Sequence, residues 1–234
     1  MVVFERAHFT PAPRPHRVNN ARVHHDDSPR RALQLLRRFS QGLLLLDGAY
    51  HARRFVLDGA DGRPVLPMPK GWDPRRTASF ENSGEVFYLP DDSDPELQLI
   101  VHPEAVDPRT HEGVDRWTAW HGAADERRWA ALRIESARWS GGVCDGDEIQ
   151  TPNPLRPVET RLLKDLNTDR ARLATICERG AGVRPESPLA VGIDPDGLNV
   201  RASLGVVRIE FPSECPDEAA ARRAIDAMAG DSAR

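Results

Sequence analysis

Apolar positions recur with two different periods along this chain. Near the start the period is helical: Ser28 can act as N-cap with Pro29 at the first helical position, and Ala32, Leu35, Leu36 and Phe39 form one stripe that Gly42 is expected to close. Beyond it, short apolar runs are cut by turn residues, at 43–46, 53–57, 64–68, 85–89, 97–102, 116–121 and 129–139. Asp47-Gly48, Asp58-Gly59 and Asp61-Gly62 punctuate the first of these, and Asp-Gly between apolar runs favours hairpins because the turn needs positive φ. In 129–139, Leu132 and Ile134 alternate with Arg133 and Glu135, the pattern of a strand with one wet face. Strands at this spacing, without long helices between them, predict an antiparallel barrel or sandwich.

The composition changes at Thr151-Pro152-Asn153-Pro154 and remains proline-rich to Pro157, which reads as a linker. A helix is predicted over 158–179, with Leu162, Leu166, Leu173 and Cys177 on one side and Gly180 and Gly182 as stops. Strands follow at 189–193, 198–203 and 206–211, the first two joined by Asp194-Pro195-Asp196-Gly197. Pro216 then starts a helix carrying Ala221, Ala224, Ile225 and Met228 at i, i+3, i+4, i+7. Residues 1–27 have neither period and read as a basic arm.

Composition supports a globular chain of many short elements: 39% hydrophobic, 29% charged, with 20 Pro and 17 Gly among 234 residues against an average near 12% for the two together. No apolar run approaches the 18 residues of a membrane span, and Glu5 and Arg6 interrupt the start before any signal-like core forms. With three cysteines 33 and 38 residues apart, a reducing cytoplasm is expected. The net charge of −4 argues against nucleic-acid or membrane partners. Eight arginines against three acids in residues 1–38 concentrate positive charge at that end.

The chemistry-bearing residues exclude more than they assign. No nucleophile elbow, phosphate-binding Walker loop or dinucleotide fingerprint is present. Asp145 and Asp147 beside Cys144 oppose a thiolate, and Cys177 falls on an apolar helix side. His24-His25-Asp26-Asp27 cannot close a metal site from adjacent positions, so no metal site is expected. One stretch can bind an anion: Lys70, Arg75, Arg76, Thr77 and Ser79 lie within ten residues with Trp72 among them, and Arg53 and Arg54 sit on an earlier strand. At most one of Arg53 and Arg54 can face an interior site. Among His51, His102, His111 and His121, the last, between Trp120 and Gly122, is the best placed to ligate iron. Five tryptophans, Trp72, Trp117, Trp120, Trp129 and Trp139, could line a ring-shaped ligand or simply pack.

Three strings, together with the element order, carry a resemblance. Trp129 through Trp139 running into Ser-Gly-Gly, Leu166-Asn167-Thr168-Asp169-Arg170, and Gly205 through Pro212 followed by an acidic, alanine-rich helix resemble the pyridoxamine-phosphate-oxidase-like split barrels that carry an extra C-terminal domain, as in haem-utilisation HugZ-type proteins. The resemblance implies an α+β chain: a split antiparallel β-barrel of the FMN-binding kind at 28–150, a linker at 151–157, and a small α-β-β-β-α domain at 158–230. It also implies a homodimer with ligand sites between subunits. Haem or FMN is the implied cofactor, with Arg53, Arg54, Lys70, Trp72, Arg75, Arg76, Thr77, Ser79 and His121 as the residues that would hold it. This chain departs from the family pattern where Arg170 replaces a histidine, at a C-terminus without histidine, and where Lys70 to Ser79 replaces the usual phosphate segment. Three readings stand: a haem- or flavin-binding oxidoreductase-like protein, a non-catalytic tetrapyrrole-binding or regulatory protein, and a cofactor-free dimeric interaction protein. No catalytic residue can be assigned in any of them.

Overall fold

The structure, a computed structural model, describes residues 28–77, 84–203 and 205–230, and only the backbone of Arg76 and Thr77. The arm at 1–27 and Ser79 lie outside the described residues. Helix α1 (Pro29–Arg38) starts where Ser28 and Pro29 predict, and it buries Ala32, Leu33, Leu35 and Leu36. It ends at Phe39 rather than at Gly42, because Gly42 already belongs to strand β1 (Gln41–Leu46). The glycine is needed there for proximity. A Cβ on Gly42 would lie 2.4 Å from Leu89 Cδ2 and 2.6 Å from the Tyr88 carbonyl on the neighbouring strand.

One antiparallel sheet follows, built from β1, β2 (Ala49–Arg54), β3 (Val56–Leu57), β4 (Pro64–Pro67), β5 (Glu85–Leu89), β6 (Leu97–Val106), β7 (Trp129–Trp139) and β8 (Gly142–Asp145). The strand order is β2-β1-β5-β6-β7-β4-β3, with β8 also on β7. Asp47 (φ 50°) and Gly48 (φ 75°) make the predicted hairpin between β1 and β2. The sheet is strongly curled into a half-barrel, so that β2 near one end of the path meets β4 near the other. A bulge helps bend it. Ile100 pairs with Ser136 but Val101 pairs with Ile134, leaving Glu135 as the extra residue. Gln150 satisfies the disturbed backbone, accepting from Ile134 N at 2.8 Å and donating to Ile134 O at 3.0 Å. Leu44, Phe87, Leu99 and Leu132 fill the concave side under α1.

Two expectations for this part need correction. The run 53–57 is not one strand: it breaks at Phe55, whose N–H donates to Ser40 O at 2.9 Å. The run 116–121 is not a strand at all but the end of helix α3 (Glu112–His121). His111 caps α3 by accepting from Gly113 N, Glu112 and Asp115 sit in its first turn, and Val114, Trp117 and Trp120 are buried at helical spacing. Reading only 116–121 hid that period. A short helix α2 (Pro74–Thr77) follows β4.

Past the proline-rich stretch, one expected helix proves to be two. These are α4 (Arg156–Thr168) and α5 (Arg170–Ala181), separated at Asp169, which ends α4 and caps α5 by accepting from Arg172 N. Strands β9 (Leu189–Asp194), β10 (Gly197–Ala202) and β11 (Gly205–Glu210) form an antiparallel sheet ordered β11-β10-β9, and α6 (Glu218–Ala229) follows. Leu166, Leu173, Ile176, Leu198, Val200 and Ile225 share a core of their own.

Helix α3 is the joint between the two sheets. Trp117, Trp120 and Trp129 pack with Val56, Val65 and Val191 in a third apolar cluster, and Trp120 Nε1 donates to Val191 O at 2.7 Å. Buried charge pairs flank this cluster. Arg116 meets Glu159, Arg37 meets Asp196 at 2.7 Å, and Arg208 meets Asp194 at 2.6 Å.

Candidate functional site

A cleft of about 540 Å³ opens where the two sheets and α3 converge. One wall is Phe39, Ser40 and Gln41 with Arg54, because Gln41 and Arg54 are register partners at the open end of the β1–β2 pair. The second wall is the turn between β10 and β11, from Arg201 to Ser203 and at Gly205 and Val206. The floor is the last turn of α3, Trp120 and His121. Gly122 (φ 88°) ends that helix, its N–H donating to Thr118 O at 2.9 Å, while Arg201 Nη1 donates to Ala119 O at 2.6 Å. A cation on the last carbonyls of a helix is favourably placed.

The cleft is basic. Arg38, Arg54 and Arg201 line it, and among the described lining residues none carries a carboxylate. Arg38 is held at the rim by Glu96 at 3.1 Å and Glu210 at 3.3 Å. His121 is the one titratable group near neutrality in the lining. Burial pushes its pKa down to about 4, the Phe55 carbonyl opposes this, and the Arg54 charge reinforces it. Its Nε2 lies 3.2 Å from Phe55 O. A carbonyl only accepts, so Nε2 carries the hydrogen and Nδ1 keeps its lone pair. Histidine ligands to metals use this arrangement, with one nitrogen fixed by a backbone acceptor and the other open to coordinate.

The expected site residues divide between two places. Arg54 and His121 share the cleft. Trp72 and Arg75 instead line a second depression of about 490 Å³ beside Arg127 and Arg128. There Trp72 is buried at 4% exposure, its ring packed in the half-barrel core, and its carbonyl accepts from Arg128. Lys70 and Arg75 are exposed; Arg76 and Thr77 fall within α2. Of the two strand arginines, Arg53 turns inward to Glu126 at 3.4 Å, with its Nε buried and unpaired, while Arg54 is exposed. Of the other histidines, His102 bonds Glu135 at 2.6 Å and His111 caps α3. The residues that sequence reasoning missed are Arg38, Ser40, Arg201, Ser203, Arg127 and Arg128. No local motif marks them; Arg38 ends a helix and Arg201 lies within a strand, and only the convergence of the two sheets gives either a role.

Other features of the sequence are structural. Asn167, in the string 166–170, accepts from Ala190 N at 2.7 Å and donates to Ala190 O at 2.9 Å, pinning α4 to β9. Arg170 is exposed. All three cysteines are buried and unbridged; burial raises the Cys144 thiol, and Glu148 and Asp145 add to it. Among the described residues no cluster of three His, Cys, Asp or Glu could hold a metal ion, and no helix is long and apolar enough to cross a membrane.

No family model and no curated relative matches the chain. Solved structures do. The protein Atu2129 (unknown function) from Agrobacterium tumefaciens str. C58 superposes with a TM-score of 0.64 at 16% identity, over 87% of this chain and 95% of that one. The shared property is the fold. A heme binding protein from Mycobacterium smegmatis aligns over 86% of this chain and 96% of its own at 19% identity, with a TM-score of 0.37.

Proposed function

We propose that the chain binds haem in the cleft between its two sheets, within a split barrel over 28–150 joined to a C-terminal unit over 158–230. The observation that carries this reading is His121, neutral at pH 7 and anchored through Nε2 on Phe55 O, with Nδ1 left to coordinate iron. The other groups suit the ligand. Arg54 and Arg201 on opposite walls complement two carboxylates, with Ser40 and Ser203 as further hydrogen-bond partners. The volume falls in the range of small-molecule sites, about 300–1,000 Å³. Bound haem supplies the redox chemistry; the protein supplies orientation and positive charge, and holds no assigned acid or base.

Hemin titration tests the reading. A Soret shift on binding is expected, weakened at least tenfold by His121→Ala and reduced by Arg54→Ala, each lost charged hydrogen bond being worth about 1.5–3 kcal/mol. An unchanged spectrum and affinity in His121→Ala would remove the ligand assignment. FMN is the competing ligand, and the specific feature favouring it is the second basic depression, with Arg75, Arg127 and Arg128. FMN binding lost in Arg127→Ala with Arg128→Ala, beside a silent hemin titration, selects the flavin instead.

We further propose that a second copy of this chain covers the convex face of the half-barrel. Leu43, Leu45, Val86, Tyr88 and Ile100 are half-buried there and contiguous through the pairs Leu43–Tyr88, Leu45–Val86 and Val86–Ile100. Tyr50 is 54% and Val143 68% exposed beside them. Arg138 marks one end of the face and Glu135 the other, so a two-fold axis through its middle sets opposite charges together. Sedimentation at micromolar concentration should give a dimer that Leu45→Glu converts to a monomer. A monomeric parent chain rules the dimer out.

A further inference from the structure

Behind the cleft, with Phe39 and Trp120 as a shared wall, lies a second, partly open cavity of about 40 Å³ bounded by α1, β3, α3, the β9–β10 pair and the segments around Gly59 and Asn153. Its charges balance, and each is engaged. Arg37 meets Asp196, Arg116 meets Glu159, Asp194 meets Arg208, and Asp58 accepts from Ala60 N at 2.7 Å. Asn199 differs. It is 4% exposed in the middle of β10, where Leu198 and Val200 face the C-terminal core. Strand alternation therefore turns Asn199 the other way, towards Trp120 and this cavity. Among the described residues nothing pairs with its side-chain amide, which, unlike the sealed Nε atoms of Arg53 and Arg208, faces space that a water can reach. A buried amide without a hydrogen-bond partner is costly, and a strand core offers many apolar alternatives at such a position.

We propose that this cavity is a built binding site for ordered water, whose hydrogen bonds satisfy the Asn199 amide and join the half-barrel to the β9–β10 pair. Three features select the guest. The charged side chains of the wall, Arg37, Arg116, Asp58 and Asp194, sum to zero and so give no net charge to hold an ion. The amide offers both donors and an acceptor, and the Asp58 carboxylate offers further lone pairs, as a water needs two to four polar partners. The size admits water, since about 40 Å³ is open to the centre of a water-sized sphere. Because the cavity sits behind the cleft rather than in it, the inference does not depend on the haem reading.

The test is oxygen-17 magnetic relaxation dispersion of water on the full chain, with thermal unfolding alongside. The parent chain should show long-lived internal water, and Asn199→Leu, close in size, should lose at least one molecule of that amplitude and melt about 2–4 °C lower. An amide buried dry predicts the opposite: removing it raises the melting temperature and leaves the dispersion unchanged, and either result overturns the proposal. Should Asn199→Leu fail to fold, a high-resolution crystal structure of the parent decides it: ordered density bonded to the Asn199 amide supports the site, and a cavity without density refutes it.

Discussion

Arg116 on α3 grips Glu159 on α4 through both terminal nitrogens, Nη1 at 2.8 Å, and Glu159 Oε1 also accepts from Ile193 N at 3.2 Å on β9. Both side chains are largely buried, at 13% and 8% exposure. One carboxylate thus ties together a helix of the half-barrel, a helix beyond the proline-rich stretch and a strand of the second sheet. Removing either partner leaves an uncompensated buried charge. Arg116→Ala should lower stability in urea by about 3–5 kcal/mol, and replacing the pair by Arg116→Met with Glu159→Leu should recover most of that loss. A loss below 1 kcal/mol for the single change would show that solvent reaches the pair.

Histidine 121 sets a pH dependence of defined sign. Its native pKa of about 4 lies below the ordinary value of 6.5, so between these limits the unfolded chain binds a proton that the native chain does not. Its contribution is complete above pH 6.5 and is lost as pH falls towards 4. Urea unfolding at pH 7, 6 and 5 should show the parent losing stability faster than His121→Gln, by at most about 1.4 kcal/mol per pH unit. Parallel curves would mean that the imidazole titrates normally. For the same reason hemin affinity should be level from pH 8 to 5.

The contact between Gly192 and Trp120 tests the joint by overpacking. A Cβ at Gly192 would lie 2.4 Å from the Trp120 ring, whose Nε1 is fixed on Val191 O. Gly192→Ala is expected to cost about 1–3 kcal/mol and to perturb the cleft floor, visible as weaker hemin binding. Combined with Trp120→Phe the penalty should shrink. Additive losses would argue against contact between the two sites.

The string at 166–170 separates architecture from chemistry. Asn167→Ala should destabilise by about 1–3 kcal/mol, because it strips both backbone groups of Ala190 of their partner. Arg170→His, which restores the residue of the resembling family, should change stability by less than about 0.5 kcal/mol, since Arg170 is exposed.

Periodicity and punctuation in the sequence by themselves determined the start of α1, the Asp47-Gly48 hairpin, the strands at 85–89 and 129–139, most of the strand at 205–210 and the αL stop at Gly182, because each rests on interactions within a few residues. Elements whose local signal was weaker than a neighbouring one were misread. Gly42 looks like a helix stop but is a point of close strand approach; 116–121 looks extended only when the cap at His111 is ignored; Asp169 splits a helix through a cap that an apolar stripe cannot reveal. What only tertiary structure decided is the site. Arg54, His121 and Arg201 are 67 and 80 residues apart in sequence and meet because a curled sheet, one helix and a distant hairpin converge; the neutrality of His121 comes from burial, reinforced by the Arg54 charge and opposed by the Phe55 carbonyl that fixes its Nε2, and no sequence spacing encodes these neighbours.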